Sequence, residues 1–168
     1  MQLLGERPPL ALVACSDDWM SRALENVFQQ RGYVVAHTRS GMQALELARL
    51  SNHDLLVLDE SLADVEVIEL CRSIRDGSQF DHSIPVVITS STPSDPRSRL
   101  IAYNAGAWEY CSHPVDLDPV FTKLETFLRA RGELILSRSQ DFVNANTGLY
   151  TSFGLRQLAG KLSARAQR

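Results

Sequence analysis

The chain has 168 residues, of which 44% are hydrophobic and 22% charged, and its formal net charge is −3. This length suits one ordinary domain with a short appendage. The slightly acidic balance excludes a general electrostatic footprint for nucleic acid or anionic membrane. No apolar run reaches the length of a membrane span, the first nine residues lack the layout of a signal peptide, and the three cysteines have no metal-finger or paired spacing. We therefore expect a protein of the reducing cytoplasm.

Short apolar runs alternate with segments of helical spacing along most of the chain. The runs predict buried strands at Leu10–Cys15, Tyr33–His37, Asp54–Leu58, Ile84–Thr89 and Trp108–Cys111. The segments that follow them predict helices at Trp19–Arg31, Gly41–Leu50, Val65–Arg75, Asp95–Asn104 and Leu117–Leu136. Strand–helix units with connections this short predict an α/β fold with a parallel sheet covered on both faces.

The character of the sequence changes beyond about Arg131. Gly132 interrupts the last predicted helix, and a polar stretch follows at residues 137–141. From about Phe153 to Arg165 the spacing predicts an amphipathic helix. Such a helix is too short to form a domain, so we expect it to pack on the main domain, on a partner or on a second copy. We predict one domain at residues 9–130 and a helical extension at residues 131–168.

Asp59 closes the third apolar run and is followed by a short loop and an amphipathic helix. A carboxylate in that place lies at the edge of the sheet where α/β folds bind their ligands. It suits a phosphoacceptor, a metal ligand or a helix cap, and the residues beside it decide which.

Over residues 9–130 the chain resembles the receiver domain of two-component response regulators. After Asp59, residues 63–67 (Ala-Asp-Val-Glu-Val) fall without gaps where the family has a Pro-Gly-Met-Asp-Gly-like loop. Ser90 stands five residues after Pro85, where the family has Thr or Ser, and residues 106–114 match its Gly-Ala…Tyr…Lys-Pro segment. The resemblance implies a flavodoxin-like (βα)5 doubly wound sheet with strand order 2-1-3-4-5.

The resemblance also implies a phosphorylation site at this edge of the sheet. Asp59 takes the phosphoacceptor position, Ser90 supplies a hydroxyl, Tyr110 stands where the family has its switch aromatic, and Ser61 offers a backbone carbonyl to a cation. Mg²⁺ is the cation implied, because it prefers oxygen ligands and neutralises phosphoryl charge. Tyr110 also fits an ordinary half-buried strand aromatic, and Ser90 ordinary loop polarity.

Two places depart from the family pattern. Cys15 and Ser16 stand where an acidic pair is expected, and a thiol is a poor Mg²⁺ ligand, so magnesium binding is doubtful. Asp17 comes two residues late and fits a cap of the first helix better, although it could approach the cation through water. His113 replaces the family's Lys; it either donates one hydrogen bond to a phosphoryl oxygen or fills space in the loop. Cys15, Asp59 and His113 together form a softer ligand set, which leaves a transition-metal or redox role as an alternative.

Residues 144–150 (Asn-Ala-Asn-Thr-Gly-Leu-Tyr) are weakly similar to the Asp-x-Leu-Thr-Gly-Leu-Tyr segment that opens GGDEF diguanylate cyclase domains. The chain contains no GGDEF signature, so we expect no cyclase and no enzymatic activity beyond self-phosphorylation and dephosphorylation of Asp59. The segment fits a vestigial output region, the front of a longer protein, or an extension that docks on the domain or on a second copy.

We predict an atypical receiver, a signalling and protein-interaction module in which phosphorylation of Asp59 is possible but impaired. The alternative is a fully competent receiver that a histidine kinase phosphorylates on Asp59 and that regulates a cyclic-di-GMP-type output. The expected partners are a histidine kinase or another signalling protein and, by family habit, a second copy of the chain. The tail shows no helix-turn-helix pattern, so a DNA-binding role is rejected.

Overall fold

The computed structural model of the protein describes residues 7–50, 53–77, 83–93, 95–112 and 119–130. A parallel sheet of five strands contains β1 (Leu10–Ala14), β2 (Val34–Thr38), β3 (Leu55–Asp59), β4 (Val86–Ser90) and β5 (Glu109–Ser112). The strands pair in the order β2-β1-β3-β4-β5, and all four pairings are parallel. The predicted fold class and strand order are confirmed.

Helices follow the strands at the predicted places. They are α1 (Asp18–Gln30), α2 (Gly41–Leu50), α3 (Val67–Asp76), α4 (Pro96–Asn104) and, at residues 119–130, α5. The chain divides into two compact units between Leu124 and Glu125, and the whole sheet belongs to the first. The predicted extension at residues 131–168 lies outside the described residues, so its boundary and its helix stay predictions.

The third helix begins two residues later than the apolar spacing predicts. Glu66 has an extended backbone and caps the helix, because its side chain accepts a hydrogen bond from the backbone N–H of Glu69 at 2.9 Å. A capping residue satisfies an amide that the first turn leaves without an intrahelical partner. The apolar spacing therefore extends back past the capping residue to Val65, although the helix itself starts at Val67.

The centre of the sheet is buried on both sides. Every residue of β3 and β4 is buried, and successive side chains of a strand point to opposite faces, so both faces of these strands are covered. Burial of each large aliphatic side chain in these strands stabilises the fold by about 1.5–3 kcal/mol. This core fixes the carboxyl ends of β3 and β4, where Asp59 and Ser90 stand.

Two glycines allow close approaches around the sheet. A Cβ on Gly41, at the start of α2, would clash with Cγ1 of Val65 in the β3–α3 loop, so a side chain there would force Val65 to shift. Gly106 has a φ of +91°, which favours glycine, and its carbonyl accepts a hydrogen bond from Arg75 Nε at 2.9 Å. Within the described part of the chain, no helix is long and apolar enough to cross a membrane.

Candidate functional site

Asp59 ends β3 with its carboxylate held inside the protein. The residue is 3% exposed, and each of its carboxylate oxygens accepts a hydrogen bond. Oδ1 accepts the backbone N–H of Ser61 at 2.9 Å, and Oδ2 accepts the hydroxyl of Thr89 at 2.6 Å. Because Asp59 pairs with Thr89 in the parallel ladder, the strand register brings this hydroxyl to the carboxylate. A buried carboxylate needs such donors to remain ionised.

Ser90, the residue expected to supply the hydroxyl of this site, lies one position further along β4. It is fully buried, its Oγ is 2.9 Å from Thr92 Oγ1, and it accepts the backbone N–H of Thr92 at 3.1 Å. The hydroxyl bonded to Asp59 is thus that of Thr89, which the sequence analysis did not single out. The signal was present in the sequence, since two hydroxyl residues stand side by side where β4 ends.

Cys15 and Ser16 lie at the end of β1, beside the loop that follows Asp59. The Cys15 thiol is fully buried and lies 3.6 Å from Ser61 Oγ. Burial raises the pKa of the Cys15 thiol, and the negative charge of Asp59 adds to this effect. At neutral pH the thiol is therefore protonated and brings no charge to the site.

Ser16 is bonded directly to Ser61. Its backbone N–H donates to Ser61 Oγ at 3.1 Å, and its hydroxyl donates to the backbone carbonyl of Ser61. We call this pair of hydrogen bonds the Ser16–Ser61 bridge. It joins the β1–α1 loop to the β3–α3 loop, and it occupies the Ser61 carbonyl that was predicted as a cation ligand.

Asp17 and Asp18 are both engaged at the start of α1. Asp17 is the N-cap, and its Oδ1 accepts the backbone N–H of Met20 at 2.8 Å. Asp18 forms an ion pair with Arg39. The capping interpretation of Asp17 therefore agrees with the structure, and its role as a distant metal ligand stays a prediction.

Within the described residues, the groups beside Asp59 fit a Mg²⁺ site poorly. Magnesium requires close to octahedral oxygen coordination, whereas this edge offers a protonated thiol at Cys15 and a Ser61 carbonyl already bonded to Ser16. In the described ranges, no three or more His, Cys, Asp or Glu side chains group in a way that could hold a metal ion. His113 lies outside the described residues, so its phosphate-contact role and the soft ligand set that includes it stay predictions.

Tyr110 lies on β5 with its ring inside the protein. It is 3% exposed, and its hydroxyl donates to Oε1 of Glu60 at 2.9 Å. Burial raises the pKa of Tyr110, and the Glu60 carboxylate raises it further. The half-buried interpretation of Tyr110 underestimated its burial, and Glu60 is a contact that the sequence analysis missed.

Asp64 ties the β3–α3 loop to the start of α2. Its carboxylate accepts the backbone N–H groups of Gly41 at 2.8 Å and Met42 at 3.1 Å, and the hydroxyl of Ser40 at 2.7 Å. Because the two amides stabilise the ionised form most, they lower the pKa of Asp64 to about 2. The β3–α3 loop, which carries Glu60 and Ser61, is thus bonded to the β1–α1 loop through Ser61 and to the start of α2 through Asp64.

Comparison with known proteins identifies the family of the chain. The model of the response regulator receiver domain matches residues 12–125. The transcriptional regulatory protein AfsQ1 of Streptomyces coelicolor is 31% identical over 134 residues, which cover 80% of this chain and 57% of that protein. The response regulator ArlR of Staphylococcus haemolyticus is 26% identical over 118 residues, which cover 70% of this chain and 52% of that protein. This chain therefore spans about half the length of these relatives.

A solved structure agrees on the fold. A putative response regulator from Chloroflexus aurantiacus superposes with a TM-score of 0.66 over 73% of this chain and 98% of its own, at 24% sequence identity. The similarity of residues 144–150 to a GGDEF opening segment lies outside the matched residues and outside the described ones, and it stays a prediction. The family match confirms the predicted resemblance, and the chain belongs to the family of response regulator receiver domains of two-component signalling.

Proposed function

We propose that the protein is an atypical receiver, a signalling and protein-interaction module in which phosphorylation of Asp59 is possible but impaired. The observation that supports this most is the Ser16–Ser61 bridge, which stands where the family places acids around a cation. Asp59 itself is retained at the carboxyl end of β3. Among the described residues, the site therefore keeps its nucleophile and has no acidic pair at the end of β1 to hold a cation against an incoming phosphoryl charge.

The impairment follows from charge and from hydrogen bonding. Attack by an Asp59 oxygen on the phosphorus of a donor forms an O–P bond while the bond to the leaving group breaks, and negative charge accumulates in the pocket. Catalysis of phosphoryl transfer consists mainly of stabilising that charge and positioning the reactants. Here each Asp59 oxygen also accepts a hydrogen bond, from Thr89 or from the amide of Ser61, and this donor withdraws electron density from the attacking oxygen. Both effects slow the reaction.

A gain-of-function variant tests the proposal. We expect the wild-type chain, incubated with Mg²⁺ and a small phosphodonor, to gain a phosphoryl group slowly, as followed by intact mass. The double variant Cys15→Asp/Ser16→Asp introduces the two acids and removes the hydroxyl bond of the bridge, so its rate should rise by about tenfold or more, since each 1.4 kcal/mol of barrier corresponds to a factor of ten.

The controls distinguish an impaired receiver from a fully competent one. Asp59→Asn, made in both backgrounds, should abolish the adduct. Equal and rapid labelling of the wild-type chain and the double variant would contradict impairment and support the competent receiver. Absence of any adduct from both chains would overturn the view that Asp59 can still be phosphorylated.

The partners proposed are those of a receiver. A histidine kinase or another cytoplasmic signalling protein is the primary candidate. A second copy of the chain is another, supported by three exposed apolar side chains of α4, namely Leu100, Ile101 and Tyr103. The mass in solution tests the homodimer. We propose no nucleic-acid partner for these residues, because their net charge of −3 gives no basic footprint.

A further inference from the structure

The hydrogen bond between Tyr110 and Glu60 joins two segments that the strand ladder alone does not join. Glu60 directly follows Asp59, and its backbone N–H donates to the carbonyl of Thr89 at 2.9 Å. Tyr110 stands on β5, paired in register with Ile88 of β4. Because β4 lies between β3 and β5, this side-chain bond passes over the end of β4.

The Tyr110–Glu60 hydrogen bond pairs a buried hydroxyl with a carboxylate. A hydroxyl that donates to a carboxylate forms a charge-assisted hydrogen bond, and here the donor is buried while Glu60, which supplies the acceptor, is exposed. The tyrosine hydroxyl depends on it because the residue is 3% exposed. Without an acceptor, a buried hydroxyl carries an uncompensated desolvation cost, which favours rotation of the ring toward water.

Ser90 and Thr92 lie between Tyr110 and α4. The Ser90 hydroxyl acts on Tyr110, since it lowers the pKa of the Tyr110 hydroxyl, and Ser90 Oγ lies 2.9 Å from the hydroxyl of Thr92 in the β4–α4 loop. Along α4 itself, Ala102 is the buried residue. Since Ala102 alone is buried in α4, we expect the position of this helix to be sensitive to the loop that precedes it.

We infer that the Glu60 carboxylate holds Tyr110 inside the protein and thereby fixes the β4–α4 loop while Asp59 carries no phosphoryl group. The aromatic position that the family uses as a switch is then set by a resident side chain. This inference goes beyond the proposed function, because it requires neither phosphoryl transfer nor a partner. Glu60 is a positioning residue that acts through Tyr110.

The test measures the exposure of one tyrosine in the full chain without a phosphodonor. The four tyrosines are replaced by 3-fluorotyrosine, and Tyr110→Phe assigns the Tyr110 signal in the ¹⁹F NMR spectrum. A soluble paramagnetic chelate then broadens each signal according to its access to solvent. We expect the wild-type Tyr110 signal to be strongly protected and that of Glu60→Ala to be broadened severalfold more. Hydrogen exchange of the amides at residues 91–104 should accelerate severalfold in the same variant.

Matched variants make the outcome decisive. Glu46→Ala removes an exposed glutamate of α2 and should leave the Tyr110 signal and the exchange of residues 91–104 unchanged. Glu60→Gln keeps an acceptor oxygen without the charge, so it should lie between wild type and Glu60→Ala, and it supplies the result if Glu60→Ala does not fold. A Glu60→Gln signal at the wild-type level would overturn the role of the charge.

A Tyr110 signal as protected in Glu60→Ala as in wild type would overturn the inference, as would an equal change in Glu46→Ala. Because no phosphodonor is present, such a failure would leave the proposed impairment of Asp59 standing. Conversely, rapid labelling of Asp59 would refute the impairment without affecting the contact between Glu60 and Tyr110.

Discussion

Thr89 and Asp59 form the most buried polar contact of the site. Thr89 is 1% exposed and its hydroxyl donates to Oδ2 of Asp59 at 2.6 Å. A charge removed from water in this way is tolerated only if donors replace the lost hydration. The hydroxyl therefore contributes to folding as well as to the reactivity of the carboxylate.

Replacement of Thr89 by Val tests this contribution, because Val keeps the shape of the side chain and removes the donor. We expect the free energy of unfolding at neutral pH to fall by about 1–3 kcal/mol, the usual cost of leaving a buried acceptor without its partner. Urea denaturation measures it. Thr89→Ser keeps the hydroxyl and should lose less. Equal stability of Thr89→Val and wild type would show that another donor satisfies Asp59.

The sequence predicted Asp59 but not the donors around it. Asp59 could be placed because an apolar run ends on it and the family spacing around it has no gaps. The choice between Thr89 and Ser90 depends on strand register, since a shift of one residue moves a side chain to the other face. Glu60 could not be assigned either, because an acidic residue after a strand is ordinarily solvated.

The β3–α3 loop and α2 are coupled through Asp64 and Gly41. Asp64 accepts both backbone amides at the start of α2, and the missing side chain of Gly41 leaves room for Val65 of the loop. Anionic groups stabilise a helix at this end because its first amides lack intrahelical partners. The loop that carries Glu60 and Ser61 is therefore positioned by a neighbouring helix as well as by its own strand.

The pH dependence of stability reports this coupling. The folded pKa of Asp64, about 2, lies below the ordinary value of 3.8. A lowered carboxylate pKa means that the stabilisation is fully present above about pH 4 and is lost as the pH falls through about 2. Asp64→Ala should therefore be less stable than wild type at neutral pH by about 0.5–2 kcal/mol, as for loss of a helix cap. The exposed position of Asp64 favours the lower end of this range.

Urea denaturation at a series of pH values measures the difference between the two chains. The difference should narrow toward zero between about pH 4 and pH 2. Glu46→Ala removes an exposed glutamate of α2 and should follow wild type throughout. A difference between wild type and Asp64→Ala that does not change with pH would assign the contact to packing instead of charge.

At the scale of the elements, the sequence was more informative than at the scale of single contacts. Apolar runs and glycine stops placed the described strands and helices to within a few residues, because burial in a parallel sheet requires continuous apolar runs. The start of α3 was wrong by two residues, since apolar spacing cannot reveal that Glu66 turns its side chain back to cap the helix. The strand order came from the family resemblance, as connection lengths alone leave several orders open.

The stability of the whole molecule tests whether the protein binds Mg²⁺, and this test does not depend on phosphoryl transfer. A ligand that binds only the folded state raises the free energy of unfolding by an amount set by its concentration relative to Kd. The wild-type edge offers a protonated thiol and the Ser16–Ser61 bridge, so millimolar Mg²⁺ should not shift the melting temperature beyond the effect of ionic strength.

The double variant Cys15→Asp/Ser16→Asp should behave in the opposite way. Without divalent ions it should melt below wild type, because two new carboxylates lie close to Asp59 and like charges repel in a buried site. Mg²⁺ should reverse this loss, with a gain of about 2.7 kcal/mol when its concentration is a hundred times Kd. Thermal unfolding at fixed ionic strength, with K⁺ replacing Mg²⁺ as the control, measures both effects. Mg²⁺-specific stabilisation of the wild-type chain would show that its own oxygens suffice for a cation, and the bridge would then be a resting arrangement that the ion displaces.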